Sequence, residues 1–233
     1  MRGQSPFDKE QILNDARFAP KEDISEIEKI AWKDGKLQIV PSSFYAQFTQ
    51  KQLSQFGHVY GVYTLPTTEL INVLRSFITG TYGSLDNVIE IGAGNGAIGR
   101  ALGIPMTDSY QQDEEDVKQY YDEIQQPIVR YTNDVEKMDA LTAVAHYKPK
   151  VIIGSWITHK WEKDLKTGNE RGVKEERLFD HGARCYIHLG NHNVHADKPL
   201  LKVWQNFKVL TFPNILFSRA VNPDKNCMYL FKR

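Results

Sequence analysis

The feature that most constrains this chain is Val88-Ile-Glu-Ile-Gly-Ala-Gly-Asn-Gly-Ala-Ile-Gly99, where an apolar run breaks into closely spaced glycines and then resumes. A short apolar run bounded by a turn suits a strand buried on both faces. Glycines in the turn allow left-handed dihedrals and let a ligand approach the backbone. The unpaired amides at the start of the following helix attract an anionic or polar group. The unit therefore predicts an α/β domain with a nucleotide-like ligand over Gly92, Gly94 and Gly96.

The rest of the chain agrees with that class. From residue 87 onward, short apolar strands alternate with helices, with strands expected at 87–91, 104–108, within 128–137, at 151–155 and at 183–189. Helices are expected at 95–102, 113–124, 141–147 and 200–206. Residues 216–221 and 227–231, joined by the turn 222–226, read as an antiparallel C-terminal hairpin. The whole is a mostly parallel, Rossmann-like seven-stranded sheet with helices on both faces. Residues 1–80 read as a helical N-terminal extension and lid, and 81–233 as the ligand-binding domain. Within the extension, a helix at 23–30, a turn at Asp34-Gly35, a helix ended by Gly57, and a helix that begins after Pro66 and stops at Gly80 are expected. The charged stretch 163–176 reads as a solvated segment.

Composition narrows the partners. Lys plus Arg and Asp plus Glu both number 29 in 233 residues, so no net field favours nucleic acid or an anionic membrane. The first ten residues lack the apolar stretch of a signal peptide and no run is long enough to cross a bilayer, so a cytoplasmic protein is expected. Cys185 and Cys227 stand far apart without a partner motif and are expected as small buried residues; no metal site is expected.

With Glu90, Gly92, Gly94 and Gly96 in the pattern E/D-x-G-x-G-x-G, the sequence resembles the class I methyltransferases that use S-adenosylmethionine. The resemblance spans residues from about 60 to the end. It implies that the glycine turn lies beneath the methionine and ribose of the cofactor. It also implies that Asp108, closing the second strand, takes the ribose hydroxyls, for which a carboxylate offers two acceptors. Asp139 is implied near the adenine amine, with Met138 covering the ring and Asp134 as the rival acid. Ser155 and Tyr63 complete the expected cofactor set. Asp108 and Asp139 as ordinary loop acids, and the glycines as a mere tight turn, are the plain alternatives.

A methyl donor of this kind carries its own leaving group, so the acceptor side leaves a faint signature. The fourth strand ends Gly154-Ser-Trp-Ile-Thr-His159, making Trp156 a candidate flank and His159 a candidate base. The loop His188-Leu-Gly-Asn-His-Asn-Val-His195 adds His192. Core packing for Trp156, a surface position for His159 and a solvated histidine loop are the competing readings. Tyr60 and Tyr63 lie in a loop expected to fold over the ligand. The acceptor, small molecule or macromolecule, is not named by any motif. Two other functions stay open: a methyltransferase-like binding module without turnover, and an NAD(P)-linked oxidoreductase, since Gly94 to Gly99 also spells G-x-G-x-x-G. Against the latter, an acid about twenty positions on falls within 113–115, in a charged helix and not at a strand end.

Overall fold

A computed structural model describes residues 21–161 and 167–233. The first ten residues and part of the charged stretch 163–176 lie outside the described residues. The central sheet has seven strands in the order β6-β5-β4-β7-β8-β11-β9. They are β4 (Val88–Ile91), β5 (Met106–Asp108), β6 (Glu136–Lys137), β7 (Val151–Ser155), β8 (Cys185–Asn191), β9 (Phe207–Leu210) and β11 (Asn226–Lys232). All pairings from β6 to β8 are parallel, while β11 runs antiparallel to both β8 and β9, so β11 alone is reversed.

Burial explains why these segments form strands. Every residue of β4 and β8 is buried, as expected when helices cover both faces of a sheet. The pleat divides the apolar residues cleanly. Val88, Val151, Ile153, Ile187 and Leu189 share one core with Leu70, Leu74 and Ile78 of α4 (Thr68–Tyr82) and Ile98 and Leu102 of α5 (Ala97–Leu102). Ile89, Ile91, Ile152 and Tyr186 share the opposite core with Ala143 and Val144 of α7 (Ala140–Tyr147) and Leu200 of α9 (Pro199–Val203). Each fully buried aliphatic side chain contributes roughly 1.5–3 kcal/mol. A one-residue slip of any strand would send its residues to the wrong core.

A third core gathers the N-terminal elements: α1 (Ser25–Ala31), the hairpin β1 (Trp32–Lys33) and β2 (Lys36–Leu37), α2 (Ser42–Tyr45) and α3 (Gln50–Tyr60). Ile27, Tyr45, Leu53 and Phe56 pack there with Ala97 at the start of α5. The expected single helix is thus split into α2 and α3, because Thr49 forms a capping box with Gln52. Gly57 lies inside α3, and the left-handed cap is Gly61, with φ 64°. Likewise α4 runs past Gly80 to Tyr82, with Gly83 at its end, and its own N-cap is Thr67. Between β5 and β6 lies α6 (Glu115–Glu123), and α8 (His192–His195) follows β8.

The terminal hairpin requires a correction. The partner of β11 is β9, and β10 (Phe217–Ser218), within the segment expected to pair with it, instead joins β3 (Thr64–Leu65) in a separate two-stranded sheet. Both edges of β11 are taken by β8 and β9, so residues 217–218 find their ladder elsewhere. Asn226 fixes the crossing: its Oδ1 accepts from Ser218 Oγ at 2.8 Å and its Nδ2 donates to Leu216 O at 3.2 Å. No helix among the described residues is long and apolar enough to cross a membrane.

Candidate ligand cavity at the carboxyl edge of the sheet

The carboxyl ends of β4, β5, β7 and β8 open on a cavity of about 860 Å³. Parallel strands end at one common edge, which is where open α/β sheets place ligands. The glycine turn after β4 forms one wall. Gly92, Gly94 and Gly96 have φ of 55°, 56° and 74°, a region side chains resist. A Cβ on Gly92 would fall 2.4 Å from Ile157 Cδ1, and one on Gly96 2.8 Å from Val135 Cγ2.

Two buried carboxyls hold this turn. Asp108 ends β5, its Oδ2 accepting from Gly94 N at 2.9 Å and its Oδ1 from Tyr110 N at 3.0 Å. Burial pushes its carboxyl above the usual range, with the Gly94 and Tyr110 amides opposing. Glu90 reaches under the turn, and its Oε2 accepts from Gly99 N at 2.7 Å. Burial pushes Glu90 up to about 8, so it is largely protonated at neutral pH. Asn95 ties the N-terminal hairpin over the turn: its Oδ1 accepts from Leu37 N, and its Nδ2 donates to Gly35 O and Arg130 O.

The opposite wall is made by side chains beyond β7 and β8. Trp156 adopts φ 56°, left-handed for a residue with a Cβ, and its buried Nε1 has no hydrogen-bond partner. Its ring lies 5.5 Å from Tyr63 and 5.2 Å from His195. The Arg219 guanidinium sits over the other neighbour in this row, 3.6 Å from the Tyr63 ring centre. Behind this wall Lys198 and Glu175, each 1 % exposed, form an ion pair at 2.6 Å. Lys198 Nζ also donates to Ile157 O, and Tyr186 Oη to Glu175.

Glu90, Gly92, Gly94 and Gly96 all line the cavity. Asp108, Asp139, Ser155, Tyr63 and Trp156 line it too. Asp139 is at the same time the N-cap of α7, accepting from the amides of Leu141 and Thr142, so much of its carboxylate is committed. Ser155 Oγ is 2.8 Å from Thr64 Oγ1. Other expected residues are not brought to the wall. Met138 packs at the edge of the α7 core, and Asp134 is held by Arg100, which keeps its carboxyl well below the usual range. Tyr60 bonds Glu28 at 3.0 Å. His192 Nδ1 is 3.0 Å from Tyr229 Oη. His159 is buried and not at the surface, its Nε2 3.1 Å from Thr167 Oγ1, and burial lowers its pKa.

His195, not His159 or His192, is the histidine on the cavity wall. Burial, reinforced by Lys198, pulls it down to about 3, so it is neutral and hydrogen-bonds around Asn191 through Nδ1. Gln111, Tyr121, Tyr131 and Arg219 also line the cavity without having been marked in the sequence. Gln111 Oε1 is a further buried atom without a partner. Gln111 lies three residues past Asp108, but no local motif marks any of the four. Cys185 and Cys227 are buried and free. No group of metal-binding residues is present among the described residues. No protein-family model and no curated protein matches the chain.

Proposed function

We propose that the chain is a Rossmann-like S-adenosylmethionine-dependent methyltransferase. One observation carries the reading: Asp108, closing the strand beside β4, is held by the Gly94 amide of a left-handed glycine turn on the wall of a cavity. That is the juxtaposition of acid and glycines which the resemblance implies for ribose and methionine. The reversed strand β11, antiparallel to β8 and β9 in an otherwise parallel sheet, supports it, although the expected 216–221/227–231 hairpin itself does not form.

The bound cofactor would supply an activated methyl group with its own leaving group. The chain's residues would then bind and orient. Asp108 presents acceptors to paired hydroxyls, the glycine turn admits the ligand against the backbone, and Tyr63 and Trp156 exclude water from the far side. Neutral Glu90 keeps the floor free of a second carboxylate charge close to Asp108.

Calorimetry with S-adenosylhomocysteine tests the reading. Micromolar binding is expected, weakened at least tenfold by Asp108→Ala, whereas Asp108→Asn, which can still accept from Gly94, loses less. Absence of binding by the intact chain, or thermal stabilisation by NADH and not by S-adenosylhomocysteine, overturns it.

A further inference from the structure

The wall formed by Tyr63, Trp156 and Arg219 has an unusual electrostatic condition. None of the ion pairs among the described residues involves Arg219, and its guanidinium makes no hydrogen bond there; Nη1 is buried without a partner. The other arginine on the cavity, Arg171, is by contrast paired with Glu114 and Asp116. The charge of Arg219 falls instead on Tyr63, Tyr121 and His58, and after burial it is the second cause that lowers the His58 pKa. A partly buried cation without a counter-charge is costly, and a ligand anion relieves that cost.

Position separates this group from the Asp108 side. Arg219 N donates to Tyr63 O at 2.9 Å, and the neighbouring Thr64 is bonded to Ser155 at the end of β7. Asp108 ends β5, two strands away across β4, about 10 Å along the sheet edge. Of the cavity-lining residues beside β7, the two with orphaned atoms, Trp156 Nε1 and Arg219 Nη1, both present donors. Two unpaired donors, one of them on a cation without a counter-charge, suit an anion. The guanidinium is restrained over the Tyr63 ring on the cavity wall, and a guanidinium is the side-chain group best matched to a carboxylate or phosphate.

We propose that this wall is a subsite for the anionic group, carboxylate or phosphate, of a small acceptor molecule, held by Arg219 with Trp156 as a second donor. As an acceptor subsite it rests on the methyltransferase reading; as an anion site it stands on Arg219. Benzoate and inorganic phosphate are titrated calorimetrically into the full chain, with and without S-adenosylhomocysteine. Saturable binding of at least one anion is expected, weakened at least tenfold in Arg219→Gln and partly restored in Arg219→Lys, with S-adenosylhomocysteine affinity changed less than threefold. Trp156→Phe, which leaves Arg219 in place, is expected to weaken the anion severalfold and serves should the Arg219 variants fail to fold. No saturable binding of either anion, or equal affinity in wild type and variants, overturns the proposal. So does a tenfold loss of S-adenosylhomocysteine in Arg219→Gln with 5′-methylthioadenosine unaffected, which assigns Arg219 to the cofactor's own carboxylate. Anion binding through Arg219 in a chain that never binds S-adenosylhomocysteine sinks the methyltransferase reading and leaves the anion site.

Discussion

Glu90 and Glu175 are both 1 % exposed, yet the two sides of the cavity keep their buried glutamates by opposite means. Beneath the glycine turn, Glu90 has a backbone amide and a nearby but unbonded arginine, and burial leaves it protonated. Behind Trp156, Glu175 receives Lys198 and the Tyr186 hydroxyl. The first arrangement adds no net charge under the ligand. The second is an internal ion pair whose lysine also grips the Ile157 carbonyl, and so bolts the loop after β7 to the core. One wall is set by backbone geometry, and the other is braced from behind by a buried ion pair.

The sharpest way to break the comparison is to remove one member of the matched pair. Lys198→Met leaves Glu175 buried without its cation and frees the Ile157 carbonyl, with an expected loss of about 3–5 kcal/mol in urea unfolding. The double variant Lys198→Met with Glu175→Gln should recover a large part of that loss. If the single variant is as stable as wild type, the pair is not what fixes this wall.

Glu90→Gln probes the other arrangement through pH. The folded-state pKa of Glu90, about 8, lies above its ordinary value near 4.5, so the folded chain holds the proton more tightly than the unfolded chain does. Its contribution is fully present below about pH 4.5 and is lost as pH rises through about 8. Glutamine still accepts from Gly99 and does not titrate. The variant should therefore match wild type near pH 4.5 and exceed it increasingly up to about pH 8, by on the order of 4 kcal/mol. Parallel stability curves across that range would show that Glu90 is ionised in the folded chain.

The same division governs what could be read in the sequence. The glycine turn, β7 and Asp108 were legible because their signals are local: a glycine run, a continuous apolar stretch, an acid closing a strand. Gly57 and Gly61 are four residues apart, about one helical turn, and it is the packing of Val59 and Tyr60, beyond Gly57, against the N-terminal core that carries the helix on to Gly61. Arg219 was hidden because residues 216–221 read as a strand, and that reading does not say which strand is the partner. Had β10 paired with β11, Arg219 would lie in a hairpin; paired with β3, it meets Tyr63. His195 was obscured by its neighbours His188 and His192, since only the short α8 turns one of the three toward the cavity.

Trp156→Phe carries the smallest expected effect on stability and separates the walls most finely. The indole N–H is buried and unpaired, which costs about 1–3 kcal/mol, while phenylalanine removes that donor along with part of the ring contact to Tyr63 and His195. The two changes oppose each other, so stability should shift by less than about 1 kcal/mol. The left-handed backbone at residue 156 costs the same in both chains, and so does not enter the difference. On the anion proposal, the partner of this buried donor would arrive with the ligand. A loss of several kcal/mol in thermal unfolding would instead mark the indole as a structural prop, and would leave Arg219 as the sole orphaned donor of that wall.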